Sequence, residues 1–260
     1  GCPFHYFLQY VLGVEELEKP GAESEIPALE WGNLLHKLYC RLYRKHLRGV
    51  ALGELTDGRI DDLVEAAAEI LDDVGGEHAD ARPATWQAAR RQALEQLRQA
   101  LRAERDENAG ARPEHFEFRF GETDGTELRL GPDPETSVSV RGRIDRVDGL
   151  AGGGAQVIDY KSGSSRRYRK DSFEGGTQVQ LPLYLLAVAA QRRAQSGRAR
   201  YFFVTEPDFT SEFTLQDLEE RRGDLEKIVR LVVDGVRSGN FFVLPRETTG
   251  SRSRRCSEYC

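Results

Sequence analysis

Apolar residues recur at intervals of three and four from Trp31 through Leu34, Leu35, Leu38, Tyr39, Leu42 and Tyr43, which places them on one side of a helix spanning 28 to about 47. Before it, residues 3–13 read as a short apolar-rich helix ending at Gly13, and the acidic stretch 14–30, broken by Pro20, Gly21 and Pro27, reads as a loop. Residues 57–74 and 83–108, rich in Ala, Glu, Gln and Arg, predict two more helices. After Pro113 the period changes. Residues 115–120 alternate apolar and polar positions, as a half-buried strand does, and 128–130 and 138–140 are strand pieces leading toward residue 142. A helix at 178–193 tolerates Pro182 in its first turn. A strand at 200–205 and a last helix at 215–237 complete the pattern.

Strands in the middle and helices on either side predict an α/β fold with a central mixed β-sheet flanked by helices. The whole chain, 1–260, reads as one domain, with 50–112 a helical insertion, 113–205 the sheet core and 241–260 an irregular basic tail. There is no internal repeat.

Within the sheet core, 141–163 carries the densest chemistry: Arg-Gly-Arg-Ile-Asp-Arg-Val-Asp, a Gly-rich turn at 149–154, then Gln-Val-Ile-Asp-Tyr-Lys-Ser-Gly. This is a hairpin. Side chains alternate along a strand, so Asp159 and Lys161 point to one face, and Asp145 on the neighbouring strand can reach it. Two carboxylates and an amine so held are the parts needed to bind a hard cation and attack a phosphodiester. The competing reading is a surface hairpin with solvated charges. Against it, Asp is disfavoured in strands and Asp159 interrupts the apolar run of Val157, Ile158 and Tyr160. The chain also has 37 Lys and Arg, of which only six are Lys, so Lys161 stands out.

Composition narrows the picture. With 260 residues and 39% hydrophobic, the chain can bury one sizeable core, or a core with an appended subdomain. No run of 18 apolar residues exists, which excludes a helical membrane span, and the first residues lack the basic leader and cleavage site of a signal peptide. The reading is therefore cytoplasmic, without a membrane partner. The chain has no Met at all, which points to a piece of a longer protein. A net charge of −6 argues against bulk nucleic-acid binding. Local runs cut the other way: Arg166, Arg167, Arg169 and Lys170 directly follow the hairpin, where they would hold a phosphate backbone. Arg252, Arg254 and Arg255 form a second run. Without a secretory signal, disulfides are not expected from Cys2, Cys40, Cys256 and Cys260. Cys40, inside the first long helix, is read as a buried small hydrophobe.

Taken in order, Gly-x-x-x-His at 32–36, Glu117, Gly-x-x-Asp at 142–145, Asp159-Tyr160-Lys161 and Gln-x-x-x-Tyr at 180–184 resemble the RecB-like branch of the PD-(D/E)XK nuclease superfamily. Each motif is weak alone; the order and spacing are specific. The ends add to it. Cys2, with Cys256 and Cys260, resembles the iron–sulfur staple of the AddB-type subfamily, in which one cysteine before the nuclease core joins three after it on a 4Fe–4S cluster. Two departures stand out: the family's distal spacing is Cys-x2-Cys-x5-Cys where this chain has Cys-x3-Cys, and a fourth cysteine for that set is missing. A zinc site from the same thiols is the alternative.

The resemblance implies a restriction-endonuclease-like core and a metal-dependent deoxyribonuclease, exonucleolytic by preference, belonging to a recombination and repair helicase–nuclease. A helicase domain or subunit would be its partner and DNA its substrate. A non-catalytic domain that binds a DNA strand or a subunit is the alternative. By the same resemblance, His36, Asp145, Asp159, the Tyr160 carbonyl and Glu117 would hold Mg2+ or Mn2+. Asp145, Asp159 and Lys161 would be catalytic, with Gln180 and Tyr184 positioning the strand or their neighbours.

Overall fold

The structure is a computed structural model that describes residues 3–14, 26–121, 128–130, 138–163, 173, 178–210 and 212–241. Its helices and strands, in chain order, begin with α1 (Pro3–Tyr6), continued by a π-helical turn at Phe7–Val11. Then come α2 (Ala28–His46), α3 (Asp57–Val74), α4 (Gly76–Ala81) and α5 (Pro83–Glu107). The sheet strands follow: β1 (Arg112–Phe120), β2 (Leu128–Leu130), β3 (Val138–Val140), β4 (Gly142–Gly149) and β5 (Ala155–Lys161). Last are α6 (Gln180–Arg192), β6 (Gly197–Phe203), β7 (Asp208–Phe209), β8 (Phe213–Thr214) and α7 (Leu215–Arg237).

Local chemistry sets several of these ends. The Thr56 side chain accepts from the Arg59 N–H and starts α3, and Pro83 opens α5, where its missing N–H costs nothing. Thr214 and Asp217 form a reciprocal capping box at the start of α7.

The main sheet runs β1-β4-β5-β6-β7, with β8 also pairing β6. The short Gly-rich turn lets β4 and β5 pair antiparallel, whereas β5 and β6 run parallel, which requires a crossover, and α6 is that crossover. The sheet is therefore mixed. Helices cover both faces. On one, Leu38 and Leu42 of α2, Leu63 of α3 and Leu97 of α5 are fully buried against Ile158, Tyr160 and Phe202. On the other, Leu185 of α6 and Leu218 and Leu225 of α7 pack on Val157, Ala199 and Phe203.

Three sequence expectations change. The strand expected at 200–205 runs instead over Gly197–Phe203, because its edges are set by pairing with β5 rather than by its own composition. The pieces at 128–130 and 138–140 pair with each other as a separate two-stranded sheet. The strand at 112–120 does not alternate throughout: Phe116 packs in the α2 layer, whereas Phe118 and Phe120 pack in the α6 layer. The reversal falls at Glu117, whose φ of 55° is left-handed and unusual for a residue with a side chain. The helix α4 and the short strands β7 and β8 carry too few residues to show a period. The basic run at 166–170, Arg252, Arg254 and Arg255, Cys2, Cys256 and Cys260, and nearly all of the tail lie outside the described residues.

Candidate active site

The strands open where the carboxylates sit. The β4–β5 ladder ends at Arg146 opposite Ile158, one residue short of Asp145 and Asp159. The β1–β4 register passes from Phe116–Arg146 to Phe118–Ile144, over Glu117 and Asp145. Freed from the ladder, the Tyr160 N–H donates to Asp145 Oδ2 at 2.8 Å. A backbone donor that would otherwise pair with β4 thus holds the Asp145 side chain at the head of the fork.

Asp159 and Lys161 share the α6 face of β5, as their spacing requires. Lys161 Nζ stands 2.5 Å from Asp159 Oδ2 and donates to Gln180 Oε1 at 3.0 Å. Gln180 Nε2 in turn donates to Asp159 Oδ1 at 3.0 Å and to the Tyr184 hydroxyl at 2.9 Å. One amide side chain, entering on the first turn of the crossover helix, therefore orients both the amine and the carboxylate. The Tyr201 ring lies 5.1 Å from Lys161 Nζ, a cation–π contact from the parallel strand.

Asp159 is 3% exposed, and burial pushes its carboxyl up to about 6 against the opposing pull of Lys161, with the neighbouring Asp145 adding to the rise. Its Oδ2, apart from that ion pair, meets no hydrogen-bond donor among the described residues.

His36 comes from α2, with Nδ1 3.4 Å from Asp145 Oδ1. Burial lowers the imidazole pKa, and the hydrogen bond and charge of Asp145 more than reverse it, so it lies above the usual value. The two motif glycines allow this approach. A Cβ on Gly32 would lie 3.0 Å from Ser162 Oγ, so its absence lets α2 close on the end of β5. A Cβ on Gly142 would lie 2.7 Å from the Phe120 ring, which packs edge-on against Tyr184 at 5.9 Å.

The other expected residues divide. Glu117 is at the level of Asp145, but its carboxylate is 2.7 Å from Arg143 Nη1 and is held at the outer edge of the fork. Cys40 is half-buried rather than buried and is a free thiol. Burial raises its pKa, and the charges that act on it include Arg44, Glu117, Asp145 and Arg143, so it borders the site. Among the described residues no three His, Cys, Asp or Glu side chains are gathered closely enough to hold a metal ion by themselves.

Sequence reasoning missed what lies behind the fork. Arg146, fully buried, makes a two-pronged contact with Glu104 of α5, both bonds 2.7 Å, and donates to the Tyr160 hydroxyl at 2.8 Å. Its Nε is 2.8 Å from Asp148 Oδ1, Gln156 donates to Asp148, and the Tyr43 hydroxyl donates to Glu104. Arg and Asp at 146 and 148 alternate with apolar Val147, which on its own reads as a solvated strand face. The one available signal was that Tyr160, on that same face of β5, sits in an apolar run.

The sequence profile of the PD-(D/E)XK nuclease superfamily matches this chain over residues 1–260. An ATP-dependent helicase/deoxyribonuclease subunit of Streptococcus pneumoniae is 30% identical over 207 residues, covering 78% of this chain and 17% of that protein. The subunit of the same name from Moorella thermoacetica is 30% identical over 226 residues, covering 80% of this chain and 19% of that protein. An exonuclease/helicase subunit RexB of Streptococcus pneumoniae is 28% identical over 207 residues, covering 78% of this chain and 17% of that protein. The chain thus spans less than a fifth of the length of these relatives.

Proposed function

Because the chain belongs to the PD-(D/E)XK nuclease superfamily, we propose that it hydrolyses phosphodiester bonds of DNA with a bound Mg2+ or Mn2+. We further propose that it serves as the nuclease part of a helicase–nuclease, as the names of its relatives suggest. The observation that carries this reading is the fork itself. Two carboxylates on neighbouring strands, Asp145 and Asp159, converge just past the last paired residues, with Lys161 fixed beside them by Gln180.

The donors fit a hard dication in kind. Asp159 Oδ2 is a buried oxygen that, beyond its ion pair with Lys161, has no hydrogen-bond donor among the described residues, and Asp145 and His36 open on the same fork. Oxygen-dominated donors suit Mg2+ or Mn2+, and the imidazole tilts the balance toward Mn2+. His36, Asp145, Asp159 and the Tyr160 carbonyl would hold the ion, with Glu117 recruited only if it leaves Arg143. Bound there, the cation supplies Lewis acidity at the phosphate and makes a coordinated water more acidic. Lys161, a compact cation, would orient the attacking water or offset the negative charge that grows on the phosphate oxygens. Gln180 keeps the amine from collapsing wholly onto Asp159, and Tyr184 anchors Gln180 from below. Arg166, Arg167, Arg169 and Lys170 would contact the backbone of the bound strand.

The test is cleavage of end-labelled single- and double-stranded DNA with Mg2+, Mn2+ or EDTA. Degradation with either metal and none in EDTA is the expected result, and the product ladder reports polarity. A folded protein that binds DNA yet cleaves nothing in either metal points to a strand-holding domain instead.

For the cysteines we propose a 4Fe–4S staple with Cys2, Cys256 and Cys260 among its ligands. What supports it is a contact between the first helix and the residue where the described chain reaches the tail: the rings of Tyr6 and Phe7 stack on Phe241 at 6.3 and 5.0 Å. Broad visible absorption and bound iron after anaerobic purification, both lost in Cys2→Ser, are expected. A protein that instead holds zinc would favour the tetrahedral alternative.

A further inference from the structure

Between Glu30 and Glu54 the chain has no acidic residue, yet it has Lys37, Arg41, Arg44, Lys45 and Arg48 in a protein whose net charge is −6. All five side chains are exposed, whereas Leu34, Leu35, Leu38, Tyr39, Leu42 and Tyr43 of the same helix are buried. At 100° per residue, Lys37, Arg41 and Arg44 fall within one quadrant of α2, and Arg48 follows in the turn just past its last residue, His46. That quadrant adjoins the edge bearing His36 and Cys40. Lys37 and Arg44 are separated by about 10 Å along the axis.

Most charges on this face are left without an ion pair among the described residues, whereas three on the neighbouring α5 are neutralised within the fold. On α5, Arg90, Arg98 and Arg105 are each matched to a carboxylate of α3: Asp72, Asp61 and Asp57. On α2, Arg41 pairs with Asp73, but Arg44 donates to the Phe116 carbonyl and meets no carboxylate among the described residues. Lys37, Lys45 and Arg48 have no ion pair among the described residues. The stripe also leads somewhere. Its upper end is His36, in contact with Asp145, and Arg44 and Arg143 both act electrostatically on Cys40 one turn below.

We propose that this face of α2, from His36 to Arg44, together with Arg48 in the turn beyond the helix, is a track for one nucleic-acid strand. Its lysines and arginines would contact successive phosphates without regard to sequence and feed the strand to the fork. A single row of cations along a straight helix matches one backbone, not the two of a duplex. The track rests on the nuclease reading for its destination; phosphate binding by the stripe does not depend on that reading.

The experiment is the combined variant Lys37→Gln/Arg44→Gln/Arg48→Gln. Its control is Arg221→Gln/Arg222→Gln/Lys227→Gln, which removes the same charge from α7 on the opposite face of the sheet. Fluorescence anisotropy of a labelled oligothymidylate is read in EDTA across a salt series, beside a duplex of equal length. The α2 variant is expected to bind the single strand at least ~10-fold more weakly, with a salt slope lower by roughly two units at about 0.7 for each phosphate no longer held. The control should fall by less than half of either change. Equal losses in both variants, or no loss in the α2 variant, overturn the track, as does a larger loss for duplex than for single strand. Should the triple variant fail to fold, Lys37→Gln/Arg48→Gln, which breaks no ion pair among the described residues, takes its place. Because binding is measured without metal, an inactive fork leaves this result standing. Conversely, metal-dependent cleavage with an unchanged KM in the α2 variant would refute the track and keep the nuclease.

Discussion

Lys161→Ala is expected to reduce metal-dependent DNA cleavage by roughly 10²–10³-fold, the scale of losing one preorganised positive donor at developing charge. Asp159→Asn is expected to abolish it, because it removes a charged oxygen that nothing else in the fork can replace. Neither change should unfold the protein. The Lys161 amine is the main influence opposing the burial of Asp159, so without it that carboxyl rises further and takes up a proton. It does not remain as an unpaired buried charge.

The stability of Asp159→Asn carries a sign that separates a strained site from a structural one. In the folded, metal-free protein Asp159 titrates near 6, above the ordinary 3.8. The folded state therefore binds this proton more tightly than the unfolded state does. Its contribution to stability is full below the ordinary value and is lost as pH rises through the folded one. Urea unfolding in EDTA should accordingly show wild type losing stability from about pH 4 to pH 6 relative to Asp159→Asn. At pH 7.5 the variant should be at least as stable as wild type. A variant clearly less stable there would mean that Asp159 is held for structure, and the catalytic assignment would lose its physical basis.

The second large effect lies behind the fork. Arg146→Leu is expected to destabilise the protein by about 3–5 kcal/mol, because it strands Glu104 and Asp148 as uncompensated charges in the core. All three side chains are fully buried. Replacing Glu104, Arg146 and Asp148 together by apolar residues of similar volume should recover most of that loss, since the pairing offsets desolvation more than it adds net stability. Chemical denaturation of the single and triple variants checks both statements. The triple variant should nonetheless cleave DNA slowly. Arg146 holds the Tyr160 hydroxyl, and the Tyr160 N–H holds Asp145, so Tyr160 is a lever between the buried cluster and the Asp145 carboxylate proposed to hold the metal. Full activity in a stable triple variant would show that backbone pairing alone is enough to aim Asp145.

How much of this could be read from the chain alone follows from the range of the forces involved. The helix at 28–46 shows in the spacing of its apolar residues, and those at 57–74 and 83–107 in their Ala-, Glu-, Gln- and Arg-rich composition, because a helix closes its hydrogen bonds within four residues and both signals are local. The hairpin that bears Asp145, Asp159 and Lys161 is legible for the same reason: its turn is short and Gly-rich, and period two places Asp159 beside Lys161. The order of the motifs was enough to indicate a nuclease family.

What tertiary structure decided is everything that depends on a partner far along the chain. The left-handed turn at Glu117 reverses which face Phe116 and Phe118 present, and no local preference of Glu asks for it. Gln180 reaches Asp159 and Lys161 only because α6 crosses over to let β6 pair in parallel with β5. The same two-residue alternation that reads as a solvated face at Arg146 and Asp148 is buried because α5 delivers Glu104 against it. Local periodicity reports which residues share a face; only packing determines whether that face meets water, core or a second charge.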